Sequence, residues 1–509
     1  MGEIRKVDIA KVINGIRVDP ASTAPMYLQI ANSFMTKIQG NLLPAGTKLP
    51  PERELADLLS VSRTTIINAY RLLEERGLIA TRIGSGTYVA EMPAADPQTP
   101  AMPWEQLFTP RYKSPLSSLL RNLVAAPTAN KNISFAAGMP DPLLYPLNVI
   151  QEALVGERSS MECAEFGYIA TDGYLPLKQS LTAWQSRHGI DTSAEKTLIV
   201  SGSQQGLYLI IKAFVEPRDY VIVESPTYLG AIQIFEASGA RILCLPQSAS
   251  LDLELLEDYL IRYRPKLFYT IPTFQNPTGR IMSLRDRQEL IRLGARYRLA
   301  IVEDDPYGQL YYGQQPPPSL KSLDTYGGVI YLGTFSKILF PALRIGWVNA
   351  ETAVVNRLSE QKQFIDLHSN NLSQKIIHLC LTEDYLEAHL KTVRRVYRKR
   401  RDTAASALRR YCGGHLDFEL PEGGFYLWCD VRPPVSPDEL LRCAAAEGVT
   451  FVPGQAFYVN GAESHQIRLC FVTHDDTLLS EGIRRLGKIF ASGAAQRDDQ
   501  SKMARKPII

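Results

Sequence analysis

Residues 197–206 read TLIVSGSQQG, and this stretch decides the fold of most of the chain. A short apolar run of strand length ends in small residues, and a helical pattern starts directly after it. The arrangement recurs, with amphipathic segments of roughly helical length after apolar runs at residues 220–224, 241–245, 267–271, 300–304 and 329–333. This β-α alternation predicts an α/β domain with a mostly parallel sheet and helices on both of its faces.

The regions around this alternation differ from it in composition. A charged helical pattern covers about residues 385–411, and strand patterns in FELPEGGFYLWCDV (418–431) and QIRLCFV (466–472) predict a smaller α+β lobe at the C-terminal end. A Pro-, Ala- and Ser-rich composition typical of an extended linker follows the first ninety residues. The predicted organisation is therefore multidomain, with a first domain at 24–91, a linker at 92–130, the α/β domain at 131–490 and a polar, disordered tail at 491–509.

Length and composition are those of an ordinary soluble protein. The chain has 509 residues, 45% hydrophobic and 21% charged, which suggests roughly two to four domains. No apolar run is long enough for a membrane helix and no signal-peptide pattern is present, so we expect a cytoplasmic protein without a membrane partner. Seven cysteines without C-x-x-C spacing predict reduced structural thiols, and no metal site is predicted. The net charge is +3, and the whole surplus lies in residues 1–90, which hold 11 Lys+Arg against 8 Asp+Glu.

The segment PPERELADLLSVSRTTIINAYRLLEERGLI (50–79) carries the pattern of two short amphipathic helices. Residues 60–62 form a tight turn between them, and Ser62 is a good N-cap for the second helix, so the segment predicts a helix-turn-helix. The first turn of the second helix exposes Arg63, Thr64 and Thr65, which are residue types that reach base edges and phosphates. A small helical bundle that packs against another protein is the alternative.

The next segment, TRIGSGTYV (81–89), predicts a hairpin with glycines at its turn and with Arg82 on one arm, a plausible wing on the DNA backbone. In this order, residues 49–89 closely resemble the winged helix-turn-helix of the GntR family. The resemblance includes the Pro-x-Glu-Arg-Glu-Leu-Ala start, the Ser-Arg-Thr-Thr turn and the Gly-Ser-Gly-Thr wing. It implies double-stranded DNA as a partner and places at or near it Arg53, Arg63, Thr64, Thr65 and Gly86.

In the α/β domain, GTFSKILFPALRIGW (333–347) puts Lys337 inside an almost wholly apolar run. A buried lysine is either a structural cation paired with a carboxylate or an amine of lowered pKa that forms a Schiff base. A Schiff-base site for pyridoxal 5'-phosphate (PLP) must also hold a phosphate, a ring nitrogen, a phenolic oxygen and a ring face. The sequence offers a candidate for each of these four groups.

For the phosphate, the backbone N–H groups after the first strand, with Ser203 and Gln204, form a candidate anion site. Ser336 beside the lysine and Arg344, seven residues after it, could complete the charge balance. The alternative for both serines is helix capping.

For the ring nitrogen, AIVEDDPYG (300–308) ends an apolar strand in three acids, of which Asp304 is the candidate because its two neighbours point to the opposite face. The phenolic oxygen has Asn276 and Tyr307 as candidate partners, and Tyr228 could stack on the ring face. A structural ion pair for the acid and ordinary loop contacts for the others are the alternatives.

Together, GSQQ, SPTY, NPTG, EDDPY, SK and Arg-Ile-Gly occur in the order and spacing of the fold type I PLP-dependent aminotransferases. The resemblance runs from about Gly138 to Leu486 and implies that Lys337 is the Schiff-base lysine and proton shuttle. It also implies that Arg468 and Gly138 bind the substrate or effector. Arg468 matches the arginine that binds the α-carboxylate of the substrate. Tyr168 matches a tyrosine that reaches the phosphate of the other subunit, which implies a homodimer. Thr334 stands where many relatives have serine.

The two halves together resemble the MocR-type regulators, in which a GntR-like reader is joined to an aminotransferase-like effector domain. The resemblance implies a PLP-dependent transcription factor. In it, a small amine or amino acid displaces Lys337 from the cofactor and domain closure repositions the DNA-binding domains. In this family the reader of one subunit often packs near the large domain of the other. Two alternatives stay open: a working aminotransferase that also binds DNA, and a protein without PLP that uses the domain only for dimerisation.

Overall fold

The computed structural model describes residues 24–40, 42–82, 85–90, 132–147, 167–248, 250–433, 435–461 and 464–492, with isolated positions at 16, 18, 19, 149 and 151. The described residues form two compact units, one on each side of residue 110. The linker predicted at 92–130 lies outside the described residues, as does the predicted tail beyond residue 492. None of the described helices is both long and apolar enough to cross a bilayer.

The first unit consists, in its described part, of a helical core followed by a hairpin. Its elements are α1 (Met26–Gln39), α2 (Glu52–Leu59), α3 (Arg63–Glu75), β1 (Ile79–Arg82) and β2 (Gly86–Val89). The two strands pair antiparallel, with Ile79 opposite Val89. Apolar side chains from all three helices and from the hairpin are buried together, so this small unit has a hydrophobic core of its own.

The turn between α2 and α3 has the geometry of a helix-turn-helix. Ser60 adopts a left-handed backbone conformation with φ 54°, which ends α2. The Ser62 hydroxyl accepts a hydrogen bond from the Thr65 N–H at 3.1 Å and so caps α3; such a cap contributes about 1 kcal/mol. The predicted winged helix-turn-helix is confirmed, including its N-cap.

The second unit is built on a seven-stranded sheet. In chain order its strands are β4 (Thr197–Val200), β5 (Tyr220–Ser225), β6 (Arg241–Pro246), β7 (Leu267–Thr270), β8 (Ala300–Asp305), β9 (Val329–Thr334) and β10 (Gly346–Asn349). Their order across the sheet is β4-β10-β9-β8-β7-β5-β6, and every pair is parallel except the two that involve β10. The predicted mostly parallel sheet is confirmed, and β10 is an additional antiparallel strand.

Helices cover both faces of this sheet. Successive strand residues belong to different apolar clusters: Val221 and Val223 pack into one, and Ile222 packs into another, as strand periodicity requires. The helices of this part are α4 (Leu175–Arg187), α5 (Ser203–Phe214), α6 (Leu229–Ser238), α7 (Leu253–Tyr263), α8 (Leu284–Tyr297), α9 (Phe335–Ile338), α10 (Thr352–Gln363), α11 (Asn371–Thr382) and α12 (Tyr385–Tyr411). The α12 bounds coincide with the predicted charged helix.

A smaller α+β lobe follows α12, as predicted. Its four-stranded antiparallel sheet has the order β11-β12-β15-β14. The elements are β11 (Leu416–Phe418), β12 (Tyr426–Val431), α13 (Pro437–Ala446), β13 (Val449–Thr450), β14 (Val452–Pro453), β15 (Gln466–Cys470) and α14 (Asp476–Ser492). Strand β3 (Ile133–Ser134) pairs parallel with β13. The first described residues of the second unit therefore belong to this C-terminal lobe.

Candidate functional site

A cavity of about 200 Å³ opens at the carboxyl ends of the parallel strands. Ligands bind at this edge in open α/β sheets because the loops that follow successive strands converge there. Apolar side chains of the small lobe close its other side. The cavity brings together eight of the predicted residues: Gly138, Ser203, Tyr228, Asn276, Asp304, Tyr307, Lys337 and Arg468.

Lys337 lies on the single turn of α9, directly after β9. Its Nζ donates a hydrogen bond to the Gly138 carbonyl oxygen at 2.6 Å, and it forms no ion pair with a carboxylate of the described residues. Burial, together with the positive charges of Arg468 and Arg344, lowers the pKa of Lys337 to about 8. The lysine is thus a weakly basic amine inside the cavity, not half of a structural ion pair.

Asp304 is the one acid of the Glu-Asp-Asp run that faces the cavity. Its Oδ2 accepts a hydrogen bond from the Tyr269 hydroxyl at 2.7 Å, while its Oδ1 is buried without a partner among the described residues. Burial raises the pKa of Asp304 to about 7. The neighbouring acids are used elsewhere: Glu303 accepts from the Leu320 and Lys321 N–H groups, and the other accepts hydrogen bonds on the opposite face of the strand.

The start of α5 brings uncapped backbone N–H groups and a guanidinium together at one end of the site. Gly202 precedes the helix with φ 86° and no side chain caps it, so the first N–H groups are free of a capping partner. A Cβ on Gly202 would lie 2.7 Å from a terminal nitrogen of Arg344. Arg344 itself reaches the Ser201 carbonyl at 3.2 Å and the Ser336 hydroxyl at 3.4 Å. Neither of the two predicted serines caps its helix, because Gly202 and Thr334 occupy the N-cap positions.

Three predicted residues in or beside the cavity, Gln204, Tyr228 and Tyr307, are held by side-chain hydrogen bonds. The Tyr228 hydroxyl donates to Gln204 Oε1 at 3.1 Å, so Gln204 supports the aromatic ring and does not itself line the cavity. Tyr307 is buried, and its hydroxyl lies 3.1 Å from that of Tyr426. Burial raises the pKa of Tyr228 to about 12 and that of Tyr307 well above its ordinary value. Both hydroxyls therefore stay protonated and remain hydrogen-bond donors at neutral pH.

Arg468 projects from β15 of the small lobe into the cavity. One terminal nitrogen donates to Asn276 Oδ1 and the other to the Ala136 carbonyl, both at 2.8 Å. The guanidinium stacks between two rings, with its Cζ 4.1 Å from the Tyr426 centroid and 4.8 Å from that of Phe457. Arg468 Nε is buried without a partner among the described residues. A planar cation held in this way is suited to a carboxylate.

The backbone of residues 136–139 forms one wall of the cavity. Lys337 holds the Gly138 carbonyl, and Arg468 holds the Ala136 carbonyl. Thr473 donates toward the carbonyls of Ala137 and Met139, at 3.3 and 2.9 Å. A Cβ on Gly138 would overlap the Tyr426 hydroxyl at 1.9 Å, so only glycine allows this close approach. We refer to residues 136–139 as the wall segment.

Sequence reasoning missed several residues of the site. Tyr426 and Phe457 line the cavity and enclose Arg468, and Tyr269 holds Asp304. Their only signal in the sequence is that aromatic residues occur near strand ends. Tyr168, predicted to reach a second subunit, lies outside the cavity, with 87% of its surface exposed and its ring 5.7 Å from that of His368.

The first unit presents the predicted DNA-binding residues at one end of α3. Arg63 is 65% exposed and contacts Glu52 at 3.2 Å, so the start of α3 lies beside the start of α2, where Arg53 is also exposed. Thr64 is exposed, and the Thr65 hydroxyl lies 2.7 Å from that of Ser62. Four of the residues named from the sequence, Arg53, Arg63, Thr64 and Thr65, thus lie near the N-termini of these two helices.

The hairpin carries a second cationic group. Arg82 lies opposite Gly86 in the strand register, and its Cζ is 5.3 Å from the Tyr88 ring centroid. Lys48 lies over the same ring at 5.7 Å and makes a bridge to the same strand. Lys48 was not predicted, because no local pattern connects it to the hairpin. The wing therefore presents two cations around one aromatic ring.

The open groups of the cavity fit PLP. An unpaired buried acceptor costs about 1–3 kcal/mol, and a protonated ring nitrogen is the donor that Asp304 Oδ1 lacks. The uncapped start of α5 and Arg344 match a phosphate, and the Lys337 amine matches an aldehyde. The residues present thus offer partners for the ring nitrogen, the phosphate and the aldehyde of the cofactor.

Comparison with known proteins agrees with both units. Residues 133–486 match the aminotransferase class I and II family, and residues 26–89 match the bacterial regulatory proteins of the gntR family. The aromatic-amino-acid aminotransferase 1 of Thermococcus litoralis is 35% identical over 400 residues, which are 77% of this chain and 95% of that protein. The uncharacterized HTH-type transcriptional regulator YdfD of Bacillus subtilis is 31% identical over 469 residues, 91% of this chain and 96% of that one.

A solved structure gives the same result for the second unit. LysN, the α-aminoadipate aminotransferase of Thermus thermophilus, was solved with N-(5'-phosphopyridoxyl)-L-leucine. It superimposes with a TM-score of 0.71 at 36% identity and covers 77% of this chain and 99% of its own. The family and this relative identify the cofactor as PLP.

Proposed function

Because the chain belongs to the aminotransferase class I and II family and carries a gntR-family domain in the MocR-type arrangement, we propose that it is a DNA-binding regulator that senses an amine or amino acid. One observation carries the proposal: a cavity whose groups fit the cofactor lies in the same chain as a helix-turn-helix unit with its own core. A relative with both domains aligned over 91% of this chain supports it. Its DNA partner puts the protein in the cytoplasm.

When bound, PLP supplies an aldehyde that forms a Schiff base with an amine, together with a ring that withdraws electrons. Lys337 supplies this amine when no effector is bound. Asp304 holds a proton at the ring nitrogen, and the start of α5 with Arg344 binds the phosphate. Asn276 and Tyr307 orient the phenolic oxygen, and Tyr228 covers one ring face. An effector amine competes with Lys337, while Arg468 binds the effector carboxylate.

The wall segment is the proposed link from effector to DNA-binding domain. Lys337 and Arg468 both hold its carbonyl oxygens. In the PLP-loaded protein, an effector amine that displaces Lys337 would return the lysine amine to the Gly138 carbonyl, and the effector carboxylate would draw Arg468 away from the Ala136 carbonyl. Effector binding would thus exchange the hydrogen bonds of the wall segment. In the chain this segment follows the predicted linker, separated from it only by residues near β3. Effector binding thus biases the backbone that leads toward the DNA-binding domain.

We also propose that the protein is a homodimer with shared sites. Tyr168 is highly exposed and does not line the cavity of its own chain. Four large apolar side chains of the 364–372 region are also exposed, namely Phe364, Ile365, Leu367 and Leu372. Apolar surface of this kind is typical of an interface. The dimer would place Tyr168 at the phosphate of the other subunit.

A working aminotransferase that also binds DNA is the second candidate, and the aminotransferase relatives favour it. The two functions differ in turnover. A regulator needs only exchange of Lys337 for the effector amine, whereas transamination also needs a proton transfer and a 2-oxo acid as second substrate. We expect no sustained product formation from an amino acid plus a 2-oxo acid. Steady turnover at enzymatic rates would establish the second candidate instead.

The DNA half of the proposal predicts the effect of Arg63→Ala. We expect this variant to bind DNA from upstream of its own gene about fivefold to 150-fold more weakly, since a base or phosphate contact contributes about 1–3 kcal/mol. PLP content should not change. The ion pair with Glu52 is exposed, so its loss should cost at most about 1 kcal/mol of stability. Fluorescence anisotropy with labelled DNA measures the affinity.

Arg76→Ala is the matched control for this prediction. Arg76 is an exposed arginine at the opposite end of α3, about 20 Å from Arg63 at 1.5 Å per residue. We expect it to bind DNA like the wild type. Equal losses in the two variants, or an affinity that does not fall as salt is raised, would contradict the winged-helix contact.

A further inference from the structure

Helix α12 concentrates positive charge outside both sites described above. Its 27 residues contain nine Lys or Arg and two Asp or Glu. The whole chain carries a net charge of only +3, so the rest of the protein is net negative. The helix alone therefore carries a surplus of seven positive charges.

Only part of this charge is used inside the protein. Arg394 binds Gln309, Arg400 binds Asp141, and Arg401 binds Asp402. The six remaining cations are exposed, and we call them the basic face: Lys391, Arg395, Arg398, Lys399, Arg409 and Arg410. Lys399 contacts Asp476 at 2.6 Å. Arg395 and Arg398 make no hydrogen bond or ion pair with any other described residue.

The basic face borders a broad surface cavity of about 660 Å³. Arg395, Arg398, Lys399 and Arg410 line it, and hydroxyl groups of α12 and α14 lie between them, including that of Ser480. Asp402 also lines the cavity and is paired with Arg401, while Asp476 is paired with Lys399. Guanidinium groups interspersed with hydroxyls are the donors that bind phosphate oxygens.

The length of the array favours a DNA backbone over a small phosphate. From Lys391 to Arg410 the helix rises about 29 Å, at 1.5 Å per residue. This distance matches about eight steps of a DNA strand, which rises about 3.4 Å per phosphate. The same chain also carries the winged helix-turn-helix, so DNA bound there is at high effective concentration for the rest of the chain.

We propose that the basic face of α12 is a second, sequence-independent DNA contact that binds phosphates flanking the site read by the winged helix-turn-helix. The inference rests on the proposed function, because it requires DNA held by the first unit. It assigns to the effector domain a direct share of DNA affinity, in addition to effector sensing. The additional affinity should be seen with long DNA. It should be absent with a duplex that covers only the sequence bound by the winged helix-turn-helix.

The test compares two duplexes on the full-length protein loaded with PLP. The short duplex is the shortest DNA segment upstream of its own gene that the protein protects in a footprinting experiment. The long duplex extends this segment on both sides with random sequence. The variant is Arg395→Gln/Arg398→Gln/Arg410→Gln. The control removes three exposed cations elsewhere on the effector domain, as Lys212→Gln/Arg285→Gln/Arg357→Gln. Thermal unfolding of both variants checks their folding.

We expect the wild type to bind the extended duplex at least about tenfold more tightly than the short one, and the variant to lose this gain. The slope of log affinity against log salt on the extended duplex should fall by about 2 to 3, at about 0.9 per phosphate contact. The control should behave like the wild type. Wild-type protein that protects no DNA in the footprinting experiment, so that no duplex can be defined, would instead refute the proposed function itself.

Three results would overturn the inference while leaving the proposed function intact. One is a variant that keeps the full gain on the extended duplex. Another is an equal loss in the control, which would reflect net charge alone. The third combines two observations: the wild type binds the extended duplex no more tightly than the short one, yet it binds tripolyphosphate and the variant does not. The basic face would then be a site for a small anion.

Discussion

Purified Lys337→Ala protein is expected to lack the visible absorbance that the wild type shows when loaded with PLP. Lys337 is the amine that the cavity offers to an aldehyde, and the described residues place no second lysine in the cavity lining. The cofactor can then be held only by its phosphate and ring contacts. Absorbance spectra before and after dialysis measure the loss, which should be complete.

Lys212→Ala is the control for this result, because Lys212 is an exposed lysine on α5. It should keep the full absorbance. Circular dichroism of both variants checks the fold, since Lys337 contributes a single hydrogen bond to the wall segment. An unchanged spectrum in folded Lys337→Ala protein would refute the assignment.

The same lysine predicts a pH dependence of cofactor loading. Only the neutral amine attacks an aldehyde, and burial lowers the pKa of Lys337 to about 8. The rate at which cofactor-free protein takes up PLP should therefore rise with pH through about 8 and level off above it. An ordinary lysine, with a pKa of about 10.4, would still be accelerating at pH 9. Stopped-flow absorbance distinguishes the two profiles.

Arg468→Lys is expected to cause the second large effect, a selective loss of affinity for amino acids. Lysine keeps the positive charge but cannot form two parallel hydrogen bonds to a carboxylate. A hydrogen bond to a charged group contributes about 1.5–3 kcal/mol, so the amino acid Kd should rise by about tenfold to a hundredfold. A spectral titration of the PLP-loaded protein measures it.

The matched control for Arg468→Lys is a ligand instead of a second variant. Each amino acid is titrated beside the amine formed by its decarboxylation, which lacks the group that Arg468 binds. The affinity for the amine should change little in the variant. If both affinities fell equally, Arg468 would act on the shape of the cavity and not as the carboxylate ligand.

Most of the fold could be predicted because each strand of the large sheet is a local apolar run. The exception is β10, whose four residues, Gly346–Asn349, follow the turn that carries Lys337 with only a three-residue 3-10 helix, Pro341–Leu343, in between. It enters the sheet antiparallel between β4 and β9, and pairing of that kind leaves no local pattern. The pairing of β3 with β13 joins residues more than 300 positions apart, so the sequence could not show it either.

The candidate site was predictable where residue type and strand period suffice. Alternation along β8 separates Asp304 from its acidic neighbours, and a helix start after β4 marks the anion end. The contacts of Lys337 and Arg468 with the wall segment were not predictable, since they involve backbone carbonyls far away in the chain. Tyr426 was missed because one aromatic residue within FYLW carries no signal of its contact with Arg468.

The central claim is that effector binding in the cavity changes DNA affinity, and one paired measurement tests it. In the first titration, full-length PLP-loaded protein is titrated with DNA from upstream of its own gene, once without amino acid and once with a saturating amount. In the second, the same protein is titrated with the amino acid, once without DNA and once with DNA. We predict that the amino acid changes the DNA Kd by a factor of about 5 to 150, and that DNA changes the amino acid Kd by the same factor. Unchanged affinities, with both ligands bound, would contradict the account.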